Sequence, residues 1–343
     1  MLRTRTLATA FALLATAGAA HAQASPYHVI SRVRLGGEGG WDYVTADAAA
    51  HRLYLSRGSH VMVVSTDNDS VVGDIPGTTG VHGIALAPAL GRGFTSNGRD
   101  SSVTIFDLKT LAVVGSVHGT GRNPDAIAYD SVSGRVFAFN AGGTTATAID
   151  AATGVIAGTV ELGGRPEFAV ADGRGRMFAN LEDKSAIVAF DTRTLRVAGT
   201  YPLAPCEEPS GLAMDRAHRR LFAVCGNKSM AVVDADNGHL VATIPIGDGP
   251  DAAAFDPATG DAFSSNGEGT LTVVHEASPS SFSVVQTLPT QRGARTMALD
   301  PRTHRIYLVT AEFGPPPAPT AERPHPRPSV VPGSFTLLVI GRD

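Results

Sequence analysis

The sequence predicts an all-β fold built from repeated four-stranded sheets arranged in a ring. Three observations predict it. The chain repeats itself at a spacing of 40 to 44 residues. Each copy holds four short apolar runs separated by turn signals, the mark of a propeller blade at ~40–45 residues per repeat. No copy carries the 3.6-residue periodicity of a helical repeat.

The elements of a copy follow in order. The first run starts at a small or polar residue, alternates, and ends in Asp, as at 124–130, 166–172, 209–215 and 250–256. A turn follows, then Arg, an apolar residue and an aromatic: Arg52-Leu53-Tyr54, Arg135-Val136-Phe137, Arg176-Met177-Phe178, Arg220-Leu221-Phe222 and Arg305-Ile306-Tyr307. A third run ends at another Asp, as at 103–107, 187–191 and 230–234. The fourth is rich in β-branched residues and runs towards Gly, as at 155–163 and 240–247. Aligning the second residue of each copy gives Asp42, His82, Asp125, Glu167, Ser210, Asp251 and Arg295, which makes seven copies. The seventh lacks a fourth strand, because the chain ends at Asp343 soon after the run 335–340. Residues 29–36, ahead of the first copy, read like that missing strand. Their pairing would close the ring and remove its exposed edges. The expectation is one seven-bladed β-propeller domain over 23–343, with a Pro-rich insertion at 311–334 in the last blade.

Composition narrows the function classes. The 343 residues carry a net charge of −4, with 17 % charged and 43 % apolar residues. That supports a packed core and argues against a nucleic-acid binder, which needs clustered Lys and Arg. Residues 1–22 read as a signal peptide. Arg3 and Arg5 form its basic start, Leu7 to Ala20 its apolar stretch, and Ala20-His21-Ala22 its cleavage site. A short membrane anchor is the rival reading. No later apolar run reaches the ~20 residues of a membrane span. The expected location is therefore periplasmic or secreted, with Cys206 and Cys225 in an oxidising compartment.

The second strands Phe94-Thr95-Ser96-Asn97, Phe137-Ala138-Phe139-Asn140, Phe263-Ser264-Ser265-Asn266 and Tyr307-Leu308-Val309-Thr310 carry a further signal. They resemble the Tyr-Val-Thr-Asn repeat of YVTN, or YncE-like, seven-bladed propellers of exported bacterial type. The turn Asp150-Ala151-Ala152-Thr153-Gly154 fits as well, and the resemblance spans about residues 27–343. It implies an exported propeller. Broader relatives include quinoprotein dehydrogenase-like propellers, the haem d1 propeller and the virginiamycin B type of antibiotic-opening lyase. None of their catalytic motifs can be placed on this chain. Copy four departs from the pattern, with Asn180-Leu181 where the others read x-Asn.

In a propeller the first strand of each blade lines the axis, so the aligned residues should form one collar at a channel mouth. The ligand-binding candidates are Asp42, His82, Asp125, Glu167, Asp251 and Arg295, with Glu208 nearby. The next residues inward include Gly83, Ala126, Gly211 and Ala252. Crowded carboxylates raise one another's pKa unless a cation intervenes. Asp42, His82, Asp125, Glu167 and Asp251 are therefore also candidate ligands for a divalent cation. Oxygen donors suit Ca²⁺ or Mg²⁺, and His82 would admit Zn²⁺. A solvated, merely acidic ring is the competing reading. The same rim should carry Arg57, Asn97, Asn140, Glu182, Asn227, Lys228, Asn266, Glu268 and Glu312. It should also bring Cys206 close to Cys225, as a disulfide, two free thiols or half of a metal site. The insertion, with Phe313, Arg323, His325 and Arg327, would lie across the mouth as a lid or bulge outward. Trp41 would stack on a ligand or pack between blades. His218 and His304 fall in turns on the opposite face, at solvent, and His275-Glu276 replaces a turn Asp.

Two functions follow. One is an exported, monomeric binding module that holds a small polar or cationic ligand, or another exported protein, at the channel mouth. The other is a metal-dependent lyase or lactonase-type hydrolase. In it the cation would polarise a carbonyl, His82 would act as acid or base, and Arg295 would anchor an anionic substrate. No Cys-x-x-Cys-His haem attachment appears, which weighs against a redox role.

Overall fold

The computed structural model describes residues 26–318, 320 and 328–343. Residues 1–22, expected as a signal peptide, and Arg323, His325 and Arg327 of the insertion lie outside the described residues. Among the described residues the chain is almost wholly β, with only two single-turn 3-10 helices, Pro88–Leu90 and Glu182–Lys184.

Four repeats form separate antiparallel sheets whose strands follow in chain order. One consists of Pro124–Asp130, Arg135–Asn140, Thr145–Asp150 and Ile156–Glu161. The second and third strands of each sheet are nearly all buried, because neighbouring sheets cover both their faces. The fourth strands run along the outside and expose Val114, Ile156 and Val285. Apolar clusters join one sheet to the next. Phe178, Ile187 and Ala189 pack on Leu212, Leu221 and Val233 of the following repeat.

A fifth sheet unites the two ends of the chain. His28–Arg34 pairs antiparallel with Thr336–Gly341, with Val33 opposite Leu337. Arg305–Thr310 and Thr296–Asp300 complete it. Its Tyr307, Val309 and Phe335 pack on Leu53, Leu55 and Val64 of the first repeat. The insertion leaves this sheet between Thr310 and Thr336, and a bridge between Phe313 and Val330 ties its root.

The sixth sheet departs from strict four-strand units. It has seven strands, because Val71–Ala87 is continuous over 17 residues. Its first half pairs with Gly58–Ser65 and its second half with Arg92–Asn97. Val81 meets both Gly58 and Asn97, so hydrogen bonding bridges the point where one repeat passes to the next. Gly77 and Gly80 take positive φ there, which lets the extended chain bend without a side-chain clash.

Candidate functional site

Most collar residues sit on β-bulges, while Asp42 and Arg295 lie just ahead of their strands. In the third repeat Pro124 faces Asn140 and Ile127 faces Ala138, so Asp125 and Ala126 together oppose Phe139. The same two-against-one slip occurs at His82-Gly83, Glu167-Phe168 and Ser210-Gly211. A bulge bends the strand and redirects a side chain out of the alternation.

The opposing second-strand residue often holds the bulge. Ser56 Oγ accepts the backbone N–H groups of Asp42 and Tyr43 at 3.1 and 2.9 Å. Ser96 Oγ accepts from Gly83 at 2.9 Å and donates to the Asp125 carbonyl. Ser265 donates to the Arg295 carbonyl. Asn180 donates to the carbonyls of Ser210 and Gly211 at 2.8 and 3.1 Å. Four of these bonds cross to the next repeat, so the collar is set by neighbouring sheets together.

Residues distant in sequence meet at this end. His82 Nδ1 lies 2.5 Å from Asp42 Oδ2 and 3.7 Å from Asp125 Oδ1. One ligand atom from each of these three lies within 4.8 Å of the others. Arg295 Nη1 approaches Asp251 Oδ1 at 3.4 Å. Glu167 shares a hydrogen bond with Glu182, which is also paired with Arg165. Asp251 and Asp125 are recessed, their side chains 16 % and 18 % exposed.

Burial dominates the electrostatics. It pushes Asp125 up to about 6, with Asp42 adding to the rise and His82 opposing it. Burial likewise lifts Asp251 to about 6 against the pull of Arg295. Glu167 rises to about 9 through burial, the charge of Asp125 and the hydrogen bond to Glu182. His82 is pushed down by burial, but the bond to Asp42 and the charges of Asp125 and Asp42 win and raise it. The collar therefore holds more negative charge than Arg295 and His82 neutralise.

The floor of the collar is aromatic, which the sequence reading missed. Tyr43 stacks on Phe168 at 4.6 Å between ring centres, joining the first repeat to the fourth. The Tyr43 hydroxyl is buried beside Asp125, whose carboxyl it helps to hold down. Its pKa is raised by burial first, then by the charges of Asp125, Glu167, Asp42 and Asp251. One hydroxyl sensing four carboxylates places it at their common base. Gly83, Ala126, Gly211 and Ala252 occupy the same position elsewhere, and their small size leaves room for the two rings.

Other expectations are corrected. Asn97, Asn140 and Asn266 are buried instead of lining the rim. Their amides tie the second strand to third-strand hydroxyls, as in Asn97 to Ser102 and Thr104 at 3.0 and 2.8 Å. Arg57 is also buried, with its guanidinium 3.6 Å above the Phe335 ring and a 2.8 Å bond to the Glu38 carbonyl. Ser210 turns its hydroxyl to the Pro250 carbonyl. Glu208 is exposed, and its backbone N–H bonds Ser185 Oγ at 3.4 Å. No described contact brings Glu208 into the collar.

Cys206 and Cys225 form a disulfide with Cα atoms 5.7 Å apart. Trp41 packs on Phe335 and Phe313 at 5.4 and 6.2 Å, and so fixes the root of the insertion at the rim. It also lines two adjoining cavities. One of about 300 Å³ holds Trp41, Asp42, His82, Arg99 and Arg295. The other, of about 500 Å³, runs past Arg292, Arg295 and Phe313. A cavity of about 530 Å³ on the opposite face, around Tyr27, His304 and Arg342, is remote from the collar.

Glu182 was expected on the rim but not in the collar. Its signal was the break in copy four. Leu181 takes the buried place that Asn fills in other copies, and the next residue turns to Glu167.

No known family and no curated protein matches this chain by sequence. Solved structures do match in shape. A chain of the mitotic checkpoint complex superposes with a TM-score of 0.75 at 12 % identity, covering 100 % of this chain and 99 % of that one. The WD40 β-propeller domain of Doa1 gives 0.68 at 13 % identity, over 92 % of this chain and 97 % of its own. Hydrazine synthase of Kuenenia stuttgartiensis gives 0.68 at 15 % identity, over 79 % and 92 %. The fold is that of a β-propeller.

Proposed function

We propose that this β-propeller is an exported binding protein whose collar holds a small cationic ligand, a divalent cation or a compact organic cation. Its blades number seven in this reading, closed by the first and last strands. Seven apolar clusters among the described residues support the count, one for each neighbouring pair of repeats, first and last included. The domain spans 23–343, works as a monomer outside the cytoplasm after loss of 1–22, and resembles YncE-like propellers. The described ends of the insertion, tied by the bridge between Phe313 and Val330, would border the mouth.

One observation carries the ligand reading: the uncompensated carboxylates around a closed floor. Burial alone would drive Asp125, Asp251 and Glu167 to take up protons, and a bound cation would replace those protons. Asp42, His82 and Asp125 are the holding trio, and Asp251 and Glu167 supply the surrounding field. Arg295 limits the charge that a ligand must bring.

The His82–Asp42 pair supports a second reading, a lyase or lactone hydrolase. A carboxylate on Nδ1 fixes the tautomer and leaves Nε2 free to take a proton.

Calorimetric titration with Ca²⁺, Mg²⁺, Zn²⁺ and small amines tests the binding reading. The expected result is saturable uptake in wild type and at least tenfold weaker uptake in Asp125→Asn, with proton release at pH 6. Equal affinity in wild type, Asp125→Asn and His82→Ala would overturn it. Turnover of lactones that is lost in His82→Gln while cation affinity persists would favour the enzyme.

A further inference from the structure

At the end of the sheets away from the collar, most first strands finish in a buried Asp. Asp130, Asp172, Asp215 and Asp256 each accept backbone N–H groups of the following turn. At three of them the next repeat brings a hydrogen-bond donor. Thr192 Oγ1 donates to Asp130 at 2.7 Å. Arg219 Nη1 donates to Asp172 at 3.0 Å. His304 Nδ1 stands 2.8 Å from Asp256.

At Asp215 the next repeat brings another acid. Glu276 occupies the backbone position of Thr192, since Thr192 N–H donates to Gly175 O and Glu276 N–H donates to Gly260 O. The side chains of Asp215 and Glu276 are 3 % and 2 % exposed. His218 reaches both: its Nδ1 is 2.7 Å from Asp215 Oδ2 and 3.1 Å from Glu276 Oε1. Glu276 Oε1 has only this His218 contact, and Oε2 is buried with none. The nearby Arg220 is committed to Asp234 at 2.9 Å and the Pro279 carbonyl at 2.7 Å.

We propose that Asp215, His218 and Glu276 form a site for a small divalent transition-metal ion, Zn²⁺ or Mn²⁺, on the face opposite the collar. Two buried like charges need a counter-charge, and a neutral hydroxyl of the kind Thr192 supplies is missing here. One imidazole nitrogen and two carboxylate oxygens all lie within 4.8 Å of one another. The nitrogen-to-oxygen distances of 2.7 and 3.1 Å fit a common ion with bonds of about 2.0–2.2 Å. Imidazole with carboxylate suits these ions, whereas Ca²⁺ wants six to eight oxygens. His218 is half-exposed, which leaves an entry path and room for water ligands. His218 is exposed in its turn, as the sequence expectation has it, and Glu276 stands in the place of a turn Asp. The structure adds that the two meet at one recess.

The test uses chelator-treated protein carrying His82→Ala, so that the collar trio is broken. Metal is added as ZnCl₂, MnCl₂ or CaCl₂, and bound ion and Tm are measured. The expected result is one equivalent of Zn²⁺ or Mn²⁺ with a raised Tm, and no such rise with Ca²⁺. Adding Glu276→Thr, which copies the Thr192 arrangement, should abolish both the equivalent and the metal-dependent rise. Its metal-free Tm should equal or exceed that of the parent, which shows that the variant folds. No uptake in the His82→Ala protein would overturn the proposal, because the two acids would then be sharing a proton. Undiminished uptake after Glu276→Thr would overturn it too. The collar reading is judged separately, from wild type against His82→Ala.

Discussion

The two ends of the sheets are built from the same residue type and treat it in opposite ways. At the turn end, Asp130 is fully buried, yet it accepts from the Ser133 N–H at 2.9 Å and from Thr192 at 2.7 Å. On the exposed turns Asp107, Asp150 and Asp191 are held below the usual carboxylate range by Thr110, Thr153 and Thr194, through backbone and hydroxyl hydrogen bonds. At the collar end, Asp125 and Asp251 are raised because burial strips water and returns too few donors. The difference teaches that an Asp is structural or functional according to the donors around it. Glu276 sits at the turn end but is treated like the collar, pushed up first by burial.

The sharpest way to break this comparison is a pair of substitutions. Asp130→Ala strands the Ser133 N–H in the interior and breaks the cross-repeat bond from Thr192, and should cost about 2–4 kcal/mol in urea unfolding. Asp125→Asn should do the reverse. At pH 8 the folded state carries an ionised Asp125 against its raised pKa, so removing the charge should stabilise by roughly 1–3 kcal/mol. Equal losses at both positions would erase the distinction between the two ends.

The pH dependence sharpens it further. Acids whose folded pKa is raised stabilise the protein below their ordinary pKa and lose that contribution as pH rises through the folded value. Asp125 and Asp251 should therefore give falling stability between about pH 4 and 6, and Glu167 should continue the fall towards about 9. His82, also raised, acts in the same direction. Thermal melts from pH 5 to 9 should show a declining Tm, and Glu167→Gln should flatten the branch above pH 7. A Tm that climbs from pH 6 to 9 would refute the crowded-carboxylate picture.

The smallest expected effect is at the floor. Tyr43→Phe removes a buried hydroxyl that helps to hold Asp125 down and keeps the stack on Phe168. A loss of up to about 1 kcal/mol is expected. A gain of stability instead would mean that the hydroxyl gives Asp125 no hydrogen bond.

Much of the fold was legible because a repeat is read by spacing alone. The 40-to-44-residue steps located the first strand of each copy, and the chain ends that pair were found from one missing strand. The collar followed from the same alignment, and Asp42, His82 and Asp125 do meet. The Asn residues of the second strands were misread, since position near a strand end says nothing of direction. Asn97 points inward because Ser102 and Thr104 on the adjacent strand offer it partners. The break at Asn180-Leu181 was visible in the sequence, but its consequence, Glu182 beside Glu167, was not.

The sequence by itself determined the all-β repeat, the turn chemistry and which residue types stand at equivalent positions, because those depend on local periodicity. Only the tertiary structure decided which of those residues face each other. The bulges, the Tyr43–Phe168 floor and the slot that sets Glu276 against Asp215 arise between sheets, where the partner of a side chain comes from a different repeat. Burial and charge pairing there depend on distances across the molecule, and local sequence does not encode those distances one residue at a time.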